Sequence, residues 1–175
     1  MIAKPGVQEK ILLHLLDYAD FKEKVEVPFS LSQMGIANAV AIARSNVPRA
    51  ISGLRDQGLL VERQAHVHGV SRKRKAYFLT DSGIIAAEET WERLRQFQFR
   101  CIGSDGEALS TTLGAAHEVL PFAMRPVDII RYLDDNLILD VRPLTEDLIE
   151  RDLSKQVEKQ LVTSLGDLPR LRHFY

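Results

Sequence analysis

SQMGIANAVAIARSNVPRAISGLRDQG, residues 32–58, is the stretch from which the rest of the chain is read. Its spacing predicts two short helices joined by a tight turn. Ser32 is placed to cap the first, its hydroxyl accepting a free backbone N–H. Ile36, Ala39 and Val40 then share one face. Ala41 to Arg44 breaks the pattern, and Ser45 is the expected cap of the second helix. Pro48 falls in the first turn, where a missing N–H costs little. Val47, Ile51 and Leu54 are spaced by four and three, so they should pack inward together. Gly58 ends the helix, because glycine adopts the left-handed conformation at no steric cost. The face opposite the apolar stripe carries Arg44, Ser45, Asn46, Arg49, Ser52 and Arg55.

Those side chains are polar, basic and rich in hydrogen-bond donors, as a helix lying in a DNA major groove requires. The stretch resembles the helix-turn-helix of winged-helix transcription regulators, in particular the MarR-like group of archaea and bacteria. The likeness continues through Leu59-Leu60-Val61-Glu62-Arg63, similar to a first wing strand. It continues again in Tyr77-Phe78-Leu79-Thr80-Asp81-Ser82-Gly83, similar to a second wing strand turning into a helix. It spans roughly residues 7 to 95. The resemblance implies sequence-specific binding of double-stranded DNA by a homodimer, with recognition helix 45–57 in the major groove and a basic wing, 66–75, on phosphates. Asn46 and Arg49 stand where base edges are read, and their amide and guanidinium groups suit adenine and guanine. Arg55, a turn or more later, is expected on phosphate or paired with a nearby acid.

Charge is unevenly placed. The whole chain has a formal net charge of -1, so it is no general polyanion binder. From Arg44 to Lys75, eight Lys/Arg face two acids, whereas from Ser104 to Asp152 eleven acids face four Arg. A basic and an acidic half point to one surface for nucleic acid and another for something else. Four cations stand in a row at Arg72-Lys73-Arg74-Lys75, between two predicted wing strands at 59–67 and 76–80, and phosphates would relieve their crowding. Taken alone, the run fits a solvated loop equally well.

Working outward, Val7, Ile11, Leu12, Leu15 and Leu16 predict an amphipathic first helix. Val25, Val27 and Phe29 alternate as in a short edge strand. Gly35 inside the second helix is costly, and a close helix–helix contact is one possible reason. Thr80 or Asp81 caps a helix from Ser82 to about Arg95, with Ile84, Ile85, Trp91 and Leu94 as its stripe. Trp91 suits either the core or a dimer interface. Beyond it, 96–102 alternates like a strand and Gly103-Ser104-Asp105-Gly106 is a turn. Helices are expected over Ala108–Leu120, Val127–Asp134 and Leu144–Leu165, and Leu137–Val141 is a strand or a helix end.

The fold class expected is therefore α+β: a winged helix-turn-helix domain, 1–95, then a small mixed α/β, mostly helical acidic region, 96–175, for dimerisation, effector or partner docking. A different reading is a protein-interaction module. The last eight residues, Leu168 to Tyr175, resemble the lead-in to the nucleotide-binding module of large archaeal STAND-type ATPases, which implies an N-terminal part of a longer protein with an ATPase domain as partner.

The motifs of an enzyme are missing. There is no GxxxxGK[ST] loop, and His117-Glu118 lacks the second histidine of a zinc-protease helix. His66 and His68 share a strand face without further Cys or His to complete a metal site. Asp134 and Asp135 are adjacent, so their side chains diverge. Cys101 stands alone, which fits a buried thiol in a reducing cytoplasm, with a redox sensor as the lesser reading. No apolar run approaches the ~20 residues of a membrane helix. Neither a cofactor nor a metal nor a catalytic residue is expected.

Overall fold

A computed structural model describes residues 2–144 of the chain. The helix expected over 144–165 and the tail resembling an ATPase lead-in therefore lie outside the described residues, apart from Leu144.

Helix α1, Val7–Leu16, starts where the Gly6 amide donates to the Glu9 carboxylate at 2.9 Å. Strand β1 is only Glu26–Val27, paired in parallel with His66 and Val67. It is shorter than the alternation suggests. Val25 is exposed, and Phe29 opens a 3-10 turn, Phe29–Leu31, after Pro28. Helix α2 is Gln33–Val40, and Ser32 caps it as expected, its hydroxyl accepting from the Gly35 amide at 3.1 Å. A left-handed Ala41 ends it. The chain then makes a 3-10 turn, Arg44–Asn46, before helix α3, Val47–Asp56. Ser45 is thus inside the turn and caps nothing, because the extra turn moves the helix start two residues on. Pro48 does sit in the first turn, and Gly58 is left-handed as anticipated.

Strands β2, Leu60–Val67, and β3, Arg74–Leu79, form an antiparallel hairpin whose register runs from Leu60↔Leu79 to Ala65↔Arg74. Helix α4, Asp81–Leu94, follows, with Thr80 as its cap. Its stripe is shifted from the expected one: Ala87 and Leu94 are buried, Trp91 is half-buried against the second core, and Ile85 faces solvent.

Residues 96–144 build a second sheet in the order β5-β4-β6. Strand β4 is Gln98–Ile102, β5 is Ala108–Thr112 and β6 is Ile138–Asp140. The helix expected over Ala108–Leu120 is thus a strand followed by a 3-10 turn, Ala116–Glu118. The Gly103–Gly106 turn closes a hairpin that gives β5 cross-strand hydrogen bonds. The β-branched Thr111 and Thr112 favour that pairing over a helix. Leu137–Val141 resolves as a strand, parallel to β4. Helix α5, Pro126–Tyr132, has proline in its first turn and ends two residues before the expected Asp134.

Two apolar clusters result. One joins Ile11, Leu15, Ile36, Val40, Val47, Ile51 and Leu54 with the inner face of the wing hairpin. The other joins Phe97, Phe99, Cys101, Leu113 and Leu139. Helices α1 and α5 contribute to both: Leu13 packs into the second cluster and Val127 into the first. At this seam His14 is 1% exposed. Its Nε2 lies 2.8 Å from the Ser30 carbonyl, and the Arg125 guanidinium lies 3.4 Å from its Nδ1. A carbonyl needs a donor and a guanidinium needs an acceptor, so the two neighbours select the neutral Nε2–H tautomer. Arg125 also holds Asp128 with two bonds, at 2.9 and 3.1 Å, and lies 3.5 Å from Asp17.

Gly35 has its own reason to be glycine. A Cβ there would come 2.1 Å from the Phe29 carbonyl oxygen, so the close contact is with the preceding 3-10 turn rather than another helix. Gly35→Ala should therefore destabilise the fold by about 3 kcal/mol or more, read by urea unfolding. A second expectation concerns His14. Burial, reinforced by Arg125, lowers its pKa to about 4. A depressed histidine takes up its proton more readily in the unfolded chain, so its contribution is complete above pH 6.5 and is lost as pH falls from there toward 4. That loss amounts to about 3 kcal/mol. His14→Gln should flatten the pH dependence of the urea midpoint between pH 6.5 and 4.5.

Candidate nucleic-acid interface

The inner face of α3 fixes its outer face. Val47, Ile51 and Leu54 are at most 3% exposed, so the helix cannot roll without exposing them. Arg44, Ser45 and Asn46 occupy the 3-10 turn at its entrance and Arg49 its first full turn, and all four are exposed. Ser52 is half-buried.

Arg55 departs from the expected face. It lies one turn beyond buried Ile51, so it flanks the core side of α3. There its guanidinium donates to Glu62 of β2 at 3.4 Å. The pairing with an acid named as one of its two options is the one adopted. The outward row Arg49, Ser52 continues instead to the exposed acid Asp56.

The hairpin next to α3 carries the other cations. Its connection spans residues 68–73, and Gly69 is left-handed there. Arg72 and Lys73 are exposed at this tip. Arg74 and Lys75 belong to β3 instead, opposite Ala65 and Gln64. The tip thus holds two cations of the row of four, because the strand begins two residues earlier than the apolar pattern indicates. Lys75 reaches Glu62 at 3.1 Å. Among the described residues Arg44, Arg49, Arg72, Lys73 and Arg74 have no ion-pair partner.

Three helices, a short parallel strand and a hairpin alongside the third helix occur in the order α1-β1-α2-α3-β2-β3. This is a winged helix.

No family model matches the chain, and no curated protein matches it. Several solved structures are similar to it. The zinc-responsive MarR family member ZitR of Lactococcus lactis shares 18% identity, with 90% of this chain and 77% of that one covered and a TM-score of 0.41. The transcriptional regulator PA3341 shares 15% identity over 93% and 80%, with a TM-score of 0.37. A MepR mutant from S. aureus shares 17% over 89% and 78%, with a TM-score of 0.33. Against one ZitR mutant the match spans 53% of each chain.

Two residues of the winged helix escaped the sequence reading. Arg63 looks like one more surface cation in a basic stretch. Its guanidinium instead donates to the carbonyls of Lys22 and Lys24, at 2.8 and 2.9 Å, and stacks 4.5 Å over the Phe78 ring. It ties the loop before β1 to the wing and is not free for a ligand. Glu62 looks like one acid within a wing strand, yet it holds cations of two elements. Neither role shows in the sequence: the carbonyls that hold Arg63 are 39 and 41 residues away, and Arg55 and Lys75 meet Glu62 only where α3 and the two wing strands come together.

Among the described residues, no group of three or more His, Cys, Asp or Glu is placed to hold a metal ion, and His68 pairs with Glu26 at 3.1 Å. No helix of the described residues is long and apolar enough to cross a membrane. Cys101 is buried, and burial pushes its thiol pKa up, away from the reactive thiolate.

The division of the cations is testable by stability. Arg63→Ala should cost about 1–2 kcal/mol through lost carbonyl bonds and stacking. Arg72→Ala should leave the urea midpoint unchanged within error.

Proposed function

We propose that this chain is a MarR-like, sequence-specific double-stranded DNA-binding regulator of transcription. Helix α3 with its entrance turn enters the major groove. Asn46 and Arg49 read base edges, and Arg44, Ser45 and Ser52 contact the backbone beside them. Arg72, Lys73 and Arg74 rest on phosphates of the flanking groove. A homodimer sets two such helices about one helical turn, roughly 34 Å, apart on successive major grooves.

The observation that carries this reading is the division of charge on the winged helix. Arg44, Arg49, Arg72 and Lys73 stand exposed and without acidic partners among the described residues, on α3's entrance and the wing tip, while Arg63 inside the same hairpin is consumed by the fold. Unpaired cations at the leading end of one helix and the end of one hairpin match the two places where a winged helix touches a duplex.

Fluorescence anisotropy with labelled duplexes tests it. Affinity should fall by about a hundredfold or more between 50 and 200 mM salt, as several phosphate contacts require. Arg72→Ala with Lys73→Ala should reduce the steepness of log K against log salt by about two. Arg49→Ala should weaken binding to a selected duplex by about tenfold, with little effect on a random one. Absence of binding by the unaltered chain at 50 mM salt overturns the reading.

A further inference from the structure

We propose that Glu62 is an electrostatic brake on phosphate binding, setting how much positive charge the winged helix offers to a duplex. The inference rests on the DNA-binding reading above.

Glu62 projects from β2 with its side chain a quarter exposed. Its two oxygens serve two elements: Oε2 lies 3.4 Å from Arg55 at the end of α3, and Oε1 lies 3.1 Å from Lys75 at the start of β3. Both cations are themselves half exposed, at 50% and 58%. They are therefore within reach of an approaching polyanion but already neutralised in part.

The arrangement differs from an ordinary surface ion pair in its stoichiometry. One carboxylate bridges the recognition helix and the wing, the two parts that carry the free cations. A phosphate that pairs with Arg55 or Lys75 must compete with Glu62, whose carboxylate remains close by on β2 and repels the DNA backbone. Binding through phosphates alone is weakened, while Arg49 and Asn46 at the other end of α3 are untouched. Pairs this exposed rearrange readily, so the brake is a matter of charge rather than of a locked conformation.

The test is anisotropy with a random-sequence duplex from 50 to 300 mM salt, comparing the unaltered chain with Glu62→Gln. The amide keeps the shape and removes the charge. Affinity at 150 mM should rise three- to tenfold, and log K against log salt should steepen by about one to two, since each additional neutralised phosphate contributes about 0.9. Glu88→Gln, an exposed acid of α4, should change affinity less than twofold. In an Arg55→Gln, Lys75→Gln background, Glu62→Gln should have less than half its effect on the slope. Should the amide variant fold poorly, Glu62→Thr, well suited to a strand, repeats the measurement.

Binding by the unaltered chain with no change in Glu62→Gln overturns this inference alone. Equal tightening in Glu88→Gln also overturns it, because the effect would then be one of net charge. Failure of both the unaltered chain and Glu62→Gln to bind at 50 mM overturns the DNA-binding reading itself and this inference with it.

Discussion

The burial of one helix face constrains the rest of this winged helix. Val47, Ile51 and Leu54 lie in the first core against α1, α2 and β2, and moving them into water would cost about 1.5–3 kcal/mol each. That holds α3 in one rotation. The chain leaves it through left-handed Gly58, and a single corner then joins four elements. The Leu59 amide donates to Leu54, the Thr80 amide donates to Leu59 at 3.0 Å, and the Thr80 hydroxyl donates to the Gly58 carbonyl at 2.7 Å. Gly83 completes the corner, where a Cβ would stand 2.0 Å from the Leu59 oxygen. Helix α3, both wing strands and α4 are thus set by one backbone crossing.

With the inner face fixed, the cations divide by what surrounds them. Arg63 is drawn inward by two backbone carbonyls and an aromatic ring. Arg55 and Lys75 meet at Glu62. Those left over, Arg44 and Arg49 at the α3 entrance, Arg72 and Lys73 at the wing tip and Arg74 at the start of β3, have no ion-pair partner among the described residues. A basic stretch read as one continuous patch is in fact three populations with different work, structural, bridged and free.

The second sheet is attached to the winged helix rather than strung behind it. Arg125 opens α5, Asp128 anchors its guanidinium, and His14 of α1 stands between that guanidinium and the Ser30 carbonyl just before α2. The polar groups at this seam are mutually satisfied, so it joins the two apolar clusters without leaving a buried charge exposed to nothing. Val127 of the acidic half lies in the core behind the recognition helix.

Much of the winged helix was legible along the chain. Helical spacing located α1, α2 and α3, Ser32 and Gly58 marked two of their ends, and Leu79-Thr80 with Gly83 marked the passage into α4. These signals are local: a cap, a left-handed turn and an apolar period act within a few residues of one another. The segment 108–120 was misread because short runs with serine and threonine have no decisive period, and the partner strand settles them. Other boundaries shifted by a residue or two: a 3-10 turn precedes α3 and takes in Ser45, another begins at Phe29 and cuts β1 short, and pairing with β2 carries β3 back to Arg74. Which cations are free and which are held was hardly legible: an acid partner was named as an option for Arg55 alone. Arg63, Arg55 and Lys75 look alike in sequence, and only the tertiary arrangement brings carbonyls to the first and the Glu62 carboxylate to the other two. Periodicity reports which way a side chain points, whereas its electrostatic partner is set by distances that exist only once the chain has closed.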